Sequence, residues 1–241
     1  MKSQPLISFD HVSKHYGETT ALADFTLDIH PGEFLTVIGS SGGGKTTMLK
    51  MINGLILPTS GKVTVLGQDV AHTDLIALRR QIGYVIQGAA LFPHLTVAKN
   101  IGYVPSLQGR KLPKERLLAL MQLVDLDPAL LSRHPASLSG GQQQRVGIAR
   151  ALADEPKLIL MDEPFGAVDE LTRGVLQDEI QKIHRQLGAT IVFVTHDIQE
   201  AVKLGTQLLV VNQGRLEQCD TPLAVQENPA NVYVDKIVNN R

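Results

Sequence analysis

Residues 39–47 read Gly-Ser-Ser-Gly-Gly-Gly-Lys-Thr-Thr, and this stretch decides the fold of the 241-residue chain. It satisfies the spacing G-x-x-x-x-G-K-[ST] at every fixed position. The apolar run 34–38 before it is typical of a buried β-strand, and residues 48–52 after it favour a helix that ends at Asn53-Gly54. Strand, glycine-rich loop and helix together distinguish a phosphate-binding loop from a glycine-rich turn that happens to lie near a lysine.

Residues 39–47, the phosphate loop, predict a site for ATP and Mg²⁺. The glycines allow backbone N–H groups to converge on phosphate oxygens, and the N-terminus of the following helix adds partial positive charge. We expect Lys45 to contact the β- and γ-phosphates and the Thr46 hydroxyl to bind Mg²⁺. The predicted nucleotide-binding residues of the loop are Gly39, Ser40, Ser41, Gly42, Gly43, Gly44, Lys45, Thr46 and Thr47.

The composition is that of an ordinary soluble globular protein, with 43% hydrophobic and 20% charged residues. The formal net charge is −1 and no block of Lys or Arg is present, which argues against nucleic acid as a partner. A single cysteine, Cys219, excludes an internal disulfide. The apolar runs are far shorter than the about 20 residues that span a bilayer. We therefore expect no signal peptide, and we expect another chain to cross the membrane if the protein works there.

Apolar strand candidates alternate with helical stretches along most of the chain. The strand candidates after the phosphate loop are 82–86, 158–161, 190–194 and 207–211. This alternation predicts an α/β fold with a parallel sheet and with chemistry at the C-terminal ends of its strands. Strand candidates within 6–30 and at 62–67 predict a small antiparallel β subdomain, and residues 88–156 predict an inserted α-helical subdomain. The expected architecture is a P-loop NTPase (RecA-like) core with these two additions.

An acidic pair follows one of the predicted strands. Asp162 and Glu163 come directly after four apolar residues, so both carboxylates lie at the end of a buried strand. In a phosphate-loop protein such a strand ends beside the loop, where Asp162 can hold Mg²⁺ through water. Glu163 is then placed to orient or deprotonate the attacking water, which is the role of a catalytic base.

Residues 138–142, Leu-Ser-Gly-Gly-Gln, carry the most specific signal in the chain. Ser139 is suited to cap a helix over about 141–153, and two glycines expose amides at its start, which makes a second anion-binding site. A chain that binds one nucleotide needs only one binding site for the γ-phosphate. A second such anion-binding site in the same chain therefore suggests that it serves a partner. The pentapeptide, followed by Gln143-Gln144-Arg145, resembles the signature of ATP-binding-cassette (ABC) ATPases, and the resemblance extends over residues 6–236.

The resemblance implies roles for further residues. Tyr16 corresponds to the aromatic residue that stacks on adenine, and Gln87 to the glutamine that touches Mg²⁺ and senses the membrane partner. Asp169 belongs to the D-loop, and His196 is similar to the switch histidine that contacts the γ-phosphate, so that it is catalytic together with Glu163. Two copies would pair head-to-tail, with ATP between one phosphate loop and the other copy's signature residues. The signature residues are Ser139, Gly140, Gly141 and Gln142, and the implied Mg²⁺ ligands are Thr46, Gln87 and Asp162.

Finer details resemble the importer branch, and within it the quaternary-amine family that imports glycine betaine, carnitine or choline. Residues 45–53 and 84–87 carry this likeness most strongly, whereas Ser40 and Glu170 each stand where proline is common. The likeness implies permease subunits as partners, an extracellular substrate-binding protein that acts indirectly, and a location on the cytoplasmic face of the membrane. Many members carry C-terminal regulatory domains of the cystathionine-β-synthase type, and we expect this chain to lack them.

Three functions remain open on the sequence. The first is the ATP-hydrolysing subunit of a quaternary-amine importer. The second is an ABC ATPase of another importer or of an exporter, which uses the same chemistry with a different permease. The third is a non-transport ABC ATPase in DNA repair or translation, and the near-neutral charge and short length argue against it.

Overall fold

A computed structural model of the chain describes residues 4–88 and 90–239. The described strands are β1 (Ile7–Tyr16), β2 (Thr19–Ile29), β3 (Phe34–Gly39), β4 (Ser60–Val65), β5 (Gln68–Asp69), β6 (Ile82–Val85), β7 (Leu158–Asp162), β8 (Thr190–Val194), β9 (Gln207–Asn212) and β10 (Arg215–Asp220). The described α-helices are α1 (Lys45–Ile52), α2 (Leu75–Arg79), α3 (Val97–Ile101), α4 (Tyr103–Leu107), α5 (Lys114–Leu123), α6 (Gly140–Leu152), α7 (Glu170–Leu187), α8 (Ile198–Leu204), α9 (Pro222–Glu227) and α10 (Val232–Asn239). Two short 3₁₀ helices, Pro128–Ser132 and Pro135–Ser137, complete the regular structure of the described residues.

The described residues form two compact units. The first unit runs up to Arg79 and resumes at Thr190, and the second comprises Arg80–Ala189. Each unit contains parallel strands, so residues that are distant in sequence can meet at one strand edge within each of them.

The first unit holds an antiparallel sheet in the order β2-β1-β4-β5. Alternate residues of β1, including Phe9 and Val12, are buried, which is the period-two pattern of a sheet with one face on a core. Phe9 and Phe25 meet edge-to-face with ring centroids 5.5 Å apart. This sheet confirms the predicted antiparallel part of the fold.

The same unit holds β3 with parallel partners on both sides, β8 and β9, and β10 pairs antiparallel with β9. Strands β3 and β8 are almost wholly buried and rich in Val and Ile, as parallel strands covered on both faces are. Because parallel strands end at the same edge, the phosphate loop after β3 and the residues after β8 are neighbours there.

The second unit is built on the parallel pair β6 and β7, in register from Ile82 opposite Leu158 to Val85 opposite Met161. Gln87 and the Asp162-Glu163 pair therefore follow neighbouring strand ends. Helices α3 to α6 lie between these two strands in the sequence, as expected for the predicted helical subdomain. The boundaries of that subdomain, 88–156, stay a prediction, as does the domain range 6–236.

Helices α8, α9 and α10 cover the first unit's parallel strands with a shared apolar cluster. Its buried members are Ile38, Ala201, Leu208, Val210, Val225, Val234 and Val238. None of the helices in the described ranges is both long and apolar enough to cross a membrane.

The helix after β7 differs from its predicted packing. The apolar pattern predicts one stripe from Leu171 to Leu187 that faces the core. In the structure Leu176 and Ile180 are buried, whereas Leu171 is 88% exposed. The apolar pattern therefore runs past the buried part of α7, since Leu171 and Leu187 at its two ends are both exposed.

Candidate functional site

The phosphate loop leaves β3 through Gly39, a position that only glycine can occupy. Its φ is +150°, and a Cβ atom there would lie 2.0 Å from the carbonyl oxygen of Val211. At the far end Gly44 has a φ of +97°, and a Cβ atom would lie 2.5 Å from the carbonyl oxygen of Ala21. Both ends of the loop thus lie in close contact with neighbouring backbone, the carbonyl groups of Val211 and Ala21. Only glycine permits this approach, and such glycine-rich backbone is suited to bind phosphate through its N–H groups.

Lys45 opens helix α1 and folds back over the phosphate loop. Its Nζ atom donates hydrogen bonds to the carbonyl oxygens of Gly39 and Ser40, each at 2.8 Å. The Gly43 N–H donates to the Ser40 carbonyl oxygen at 3.0 Å, which closes the loop's first turn. The ammonium charge is therefore held at the loop, where an anionic phosphate group would find both it and the positive end of α1.

His196 lies just past the end of β8, in the same unit as the phosphate loop, and its side chain is exposed. Its backbone is fixed from both sides. The buried Thr195 donates a hydrogen bond from Oγ1 to the buried Glu200 carboxylate at 2.6 Å, and Asp197 caps the N-terminus of α8. Sequence reasoning missed Thr195 and Glu200, although the spacing Thr-His-Asp-x-x-Glu places a cap and a carboxylate around the histidine.

The second unit brings Gln87 to Glu163. The Gln87 Nε2 atom donates to Glu163 Oε2 at 2.9 Å. Because the amide nitrogen is used in this way, the amide oxygen of Gln87 is the atom that can bind a cation. Glu163 has a left-handed backbone with a φ of +46°, which is unusual for a residue with a Cβ atom.

Asp162, the last residue of β7, is buried with 4% exposure. Its charge affects Tyr84 on the neighbouring strand: burial, and after it the Asp162 charge, raises the pKa of the Tyr84 hydroxyl to about 12. Tyr84 therefore stays neutral at physiological pH. A buried carboxylate at a strand end is suited to a bound cation.

Ser139 begins helix α6 with a complete capping box. Its hydroxyl accepts from the Gln142 N–H at 3.2 Å, and the Gln142 side chain accepts from the Ser139 N–H at 3.0 Å. Ser139 and Gly140 are exposed, whereas a Cβ atom on Gly141 would lie 3.0 Å from the carbonyl oxygen of Ala167. The predicted signature residues thus lie against the predicted D-loop, residues 166–169, at an exposed helix N-terminus.

Asp169 ends that D-loop and caps α7, since its Oδ1 atom accepts from the Thr172 N–H at 3.0 Å. This backbone hydrogen bond, together with one from the Thr172 side chain, holds the pKa of the Asp169 carboxyl below its usual value. Asp169 therefore remains charged at the N-terminus of α7, where a negative charge is favoured.

Tyr16 is the last residue of β1, and 48% of its surface is exposed. The Lys14 Nζ atom lies 5.1 Å from the centroid of its ring. The face of the ring therefore already binds a cation weakly, and a stacked base would compete with it.

The predicted site residues fall into two groups, one in each unit. The first unit carries Tyr16, the phosphate loop and His196. The second carries Gln87, Asp162, Glu163, Ser139, Gly140, Gly141, Gln142 and Asp169.

A family model described as ABC transporter matches residues 22–166, which include the phosphate loop, Gln87, the signature residues and the acidic pair. This match covers more than half of the chain. The chain belongs to the ABC transporter family. The predicted resemblance to ABC ATPases is therefore confirmed at the level of the family.

Curated relatives of the ABC chain include a transport ATP-binding protein of Bacillus subtilis. The "Glycine betaine/carnitine/choline transport ATP-binding protein OpuCA" is 50% identical over 97% of this chain and 62% of its own length. The "Glycine betaine uptake system ATP-binding protein YehX" of Escherichia coli is 48% identical over 95% of this chain and 75% of its own length. The ABC chain thus spans about three fifths of the length of OpuCA. These relatives confirm the predicted likeness to the quaternary-amine family.

Among solved structures, the ABC chain is similar to a dimeric post-hydrolysis state of the ATP-binding cassette MJ0796 bound to ADP and Pi. The TM-score is 0.83 with 34% identity, over 90% of this chain and 98% of the other. The predicted α/β fold with a parallel sheet and a helical part is therefore confirmed.

Proposed function

We propose that this ABC chain binds and hydrolyses ATP to drive the import of quaternary amines such as glycine betaine, carnitine or choline. The observation that carries the proposal is the 50% identity to OpuCA over 97% of the chain. The phosphate loop and the Gln87–Glu163 pair supply the hydrolytic chemistry that such a subunit needs.

The residues fit a nucleotide with Mg²⁺. Gly39 and Gly44 let the loop lie close against Val211 and Ala21, and the Lys45 ammonium group is held at the loop carbonyls. The hydroxyl of Thr46, the amide oxygen of Gln87 and the carboxylate of Asp162 are hard oxygen donors of the kind that Mg²⁺ prefers. When bound there, Mg²⁺ would neutralise charge that develops on the phosphate oxygens.

In the proposed reaction Lys45 exchanges its bonds to the loop carbonyls for bonds to the β- and γ-phosphates. Glu163 accepts a proton from the water that attacks the γ-phosphorus, while Gln87 holds the carboxylate in place; the bond from the γ-phosphorus to the bridging oxygen breaks, and ADP and phosphate leave. His196 binds the γ-phosphate, and the backbone around it is held by the hydrogen bonds of Thr195 and Asp197. Tyr16 stacks on the adenine ring, as the family likeness implies.

The second half of the site comes from another copy of the chain. We place Ser139–Gln142 of one copy on the γ-phosphate held by the phosphate loop of the other, in a head-to-tail dimer. The exposed capping box at the start of α6 and the dimeric state of the similar MJ0796 cassette support this arrangement. The proposed further partners are permease subunits on the cytoplasmic face of the membrane, and through them an extracellular binding protein.

The decisive experiment measures uptake in cells under osmotic stress. Cells that lack this chain should lose uptake of labelled glycine betaine, carnitine or choline, and the intact chain should restore it. Uptake of labelled sulfate by the same cells serves as the control and should not change. Normal uptake of all three amines, with loss of some other solute, would assign the chain to a different importer.

A further inference from the structure

The hydroxyl of Tyr233 bridges two backbone groups next to the phosphate loop. It accepts a hydrogen bond from the Ser40 N–H at 3.0 Å and donates one to the Val211 carbonyl oxygen at 3.2 Å. Tyr233 belongs to α10, more than 190 residues after Ser40. A helix far from the loop in sequence therefore contacts its first amide.

The two bridged groups are the ones that fix how the loop leaves β3. Gly39 pairs with Val211 in the parallel ladder, and the Val211 carbonyl oxygen is the atom that a Cβ on Gly39 would strike. Ser40 is the next residue, and its hydroxyl lies 3.5 Å from the Asn212 side chain. Tyr233 thus holds the start of the loop and the end of β9 at a fixed distance from each other.

The Ser40 amide is also withdrawn from phosphate binding, because its donor capacity is used by Tyr233. The Ser40 carbonyl oxygen is occupied as well, by Lys45 and by the Gly43 N–H. Every backbone group of Ser40 therefore serves the loop's own shape. This explains how a residue with an N–H is accommodated at a position where the family commonly has proline, which lacks one.

The ring of Tyr233 reaches the loop along the edge of a cavity of about 530 Å³. Ser40 and His196 line one side of this cavity, and Tyr233 and Lys236 line it from α10. The ring of Tyr233 also packs against the apolar cluster that contains Ile38, so its hydroxyl adds a polar link to the loop on top of the apolar packing of α10.

We propose that Tyr233 is a positioning residue for nucleotide binding, which rests on the proposed ATP-binding function. Its hydroxyl holds the phosphate loop in the binding geometry before the nucleotide arrives. Without it the loop must be ordered at the expense of binding free energy, so affinity falls while the reacting groups stay unchanged.

The first test is the Tyr233→Phe substitution, which removes only the hydroxyl. The dissociation constant for MgADP, measured by titration calorimetry on the full chain, should rise about two- to tenfold, the range of one net hydrogen bond. The KM for ATP should rise in parallel, while kcat at saturating ATP should stay within about twofold. A kcat that falls with an unchanged dissociation constant would overturn the proposal.

The matched control is Val234→Ala, the neighbouring residue of α10, which is fully buried in the apolar cluster. It weakens the packing of α10 without touching the loop, so Tm should fall while the MgADP dissociation constant stays at the parent value. Equal losses of affinity in both variants would reduce Tyr233 to a packing role and overturn the proposal. A parent chain that does not bind MgADP would instead count against the proposed function itself.

A double-mutant cycle isolates the hydrogen bond between the Tyr233 hydroxyl and the Ser40 N–H. In a Ser40→Pro background the amide donor is absent, so Tyr233→Phe should change the MgADP dissociation constant by less than about 1.5-fold. A loss as large as that in the parent background would show that the hydroxyl acts through another group and would contradict the proposed link.

Discussion

At the scale of single residues, the backbone conformation of Glu163 determines where its carboxylate lies. It follows the buried Asp162 in a left-handed conformation with a φ of +46°, which costs on the order of 1–3 kcal/mol for a residue with a side chain. The turn brings its carboxylate to the Gln87 amide at 2.9 Å. The strain thus places a half-buried carboxylate at the end of β7, where the proposed attacking water is needed.

Replacing Glu163 with Gln tests this role. The amide keeps the size of the side chain but cannot accept a proton, so kcat for ATP hydrolysis should fall about 100-fold or more. MgADP affinity should remain at the parent level, because the phosphate loop is unchanged. Glu179 of α7 is partly exposed and lies outside the predicted site, so Glu179→Gln is the control and should leave turnover intact. Normal hydrolysis by the Glu163 variant would move the base to another residue.

Cys219 offers a test of burial in β10. Burial first, and then the charges of Glu33 and Asp220, raises the pKa of its thiol to about 12. The reactive thiolate is therefore scarce at pH 8 in the folded chain, whereas an unfolded cysteine titrates near 8.5. Reaction with the Ellman reagent should be slower by about 50-fold or more in the native protein than in guanidinium chloride, because the higher nucleophilicity of a high-pKa thiolate recovers only part of the lost thiolate fraction. Equal rates at pH 8 would place the thiol in open solvent.

Among the elements, α7 shows what periodicity alone fails to separate. Its sequence carries apolar residues from Leu171 to Leu187, but only the middle of the helix is buried. An apolar pattern reports which residues could be buried, and the neighbouring elements decide which of them are. The boundary of α1 shows a similar limit: the helix begins at Lys45, because the loop geometry, rather than apolar spacing, starts it.

Alanine substitutions of one buried and one exposed leucine of α7 test how much each contributes to stability. Leu176 is 1% exposed and Leu171 is 88% exposed. Leu176→Ala should lower the free energy of unfolding by about 2–4 kcal/mol, whereas Leu171→Ala should change it by about 0.5 kcal/mol or less. Urea denaturation of both variants at one protein concentration provides the comparison. Similar losses for the two would mean that the first turn of α7 is covered in solution.

At the scale of the whole molecule, the ABC chain carries the phosphate loop on one unit and the capped N-terminus of α6, the proposed second anion-binding site, on the other. If the second terminus serves another copy, hydrolysis depends on association. The rate of ATP hydrolysis per chain should therefore rise with protein concentration until dimers saturate, which a dilution series of steady-state assays can measure. A constant rate per chain down to nanomolar protein would indicate a monomeric enzyme or a permanent dimer.

Mixing two inactive variants distinguishes those outcomes. Lys45→Ala damages the phosphate loop, and Ser139→Arg blocks the signature helix in trans. A mixed head-to-tail dimer contains one intact site, so activity should reappear on mixing, whereas each variant alone stays inactive. No recovery after subunit exchange would contradict the shared site.

The sequence predicted the fold and the contiguous motifs well because their signals are local. The phosphate loop, the Asp162-Glu163 pair and the cap at Ser139 each occupy a few consecutive residues next to a strand or helix boundary. Tyr233 could not be found in this way, because its contact with Ser40 exists only after β3, β9 and α10 have packed. Glu200 lies between these two cases. It is close to His196 in sequence, but its hydrogen bond with Thr195 is seen only in the structure.

The docking of α10 also limits how far the chain can be shortened. Val234 and Val238 fill the same core cluster as Ile38, the residue before Gly39. A truncated protein that ends at Asn231 would expose that cluster and lose Tyr233, although it would retain every motif between residues 16 and 196. Fragments for crystallisation or fusion should therefore keep Val232–Asn239, since a piece trimmed to its motifs alone would become prone to aggregation.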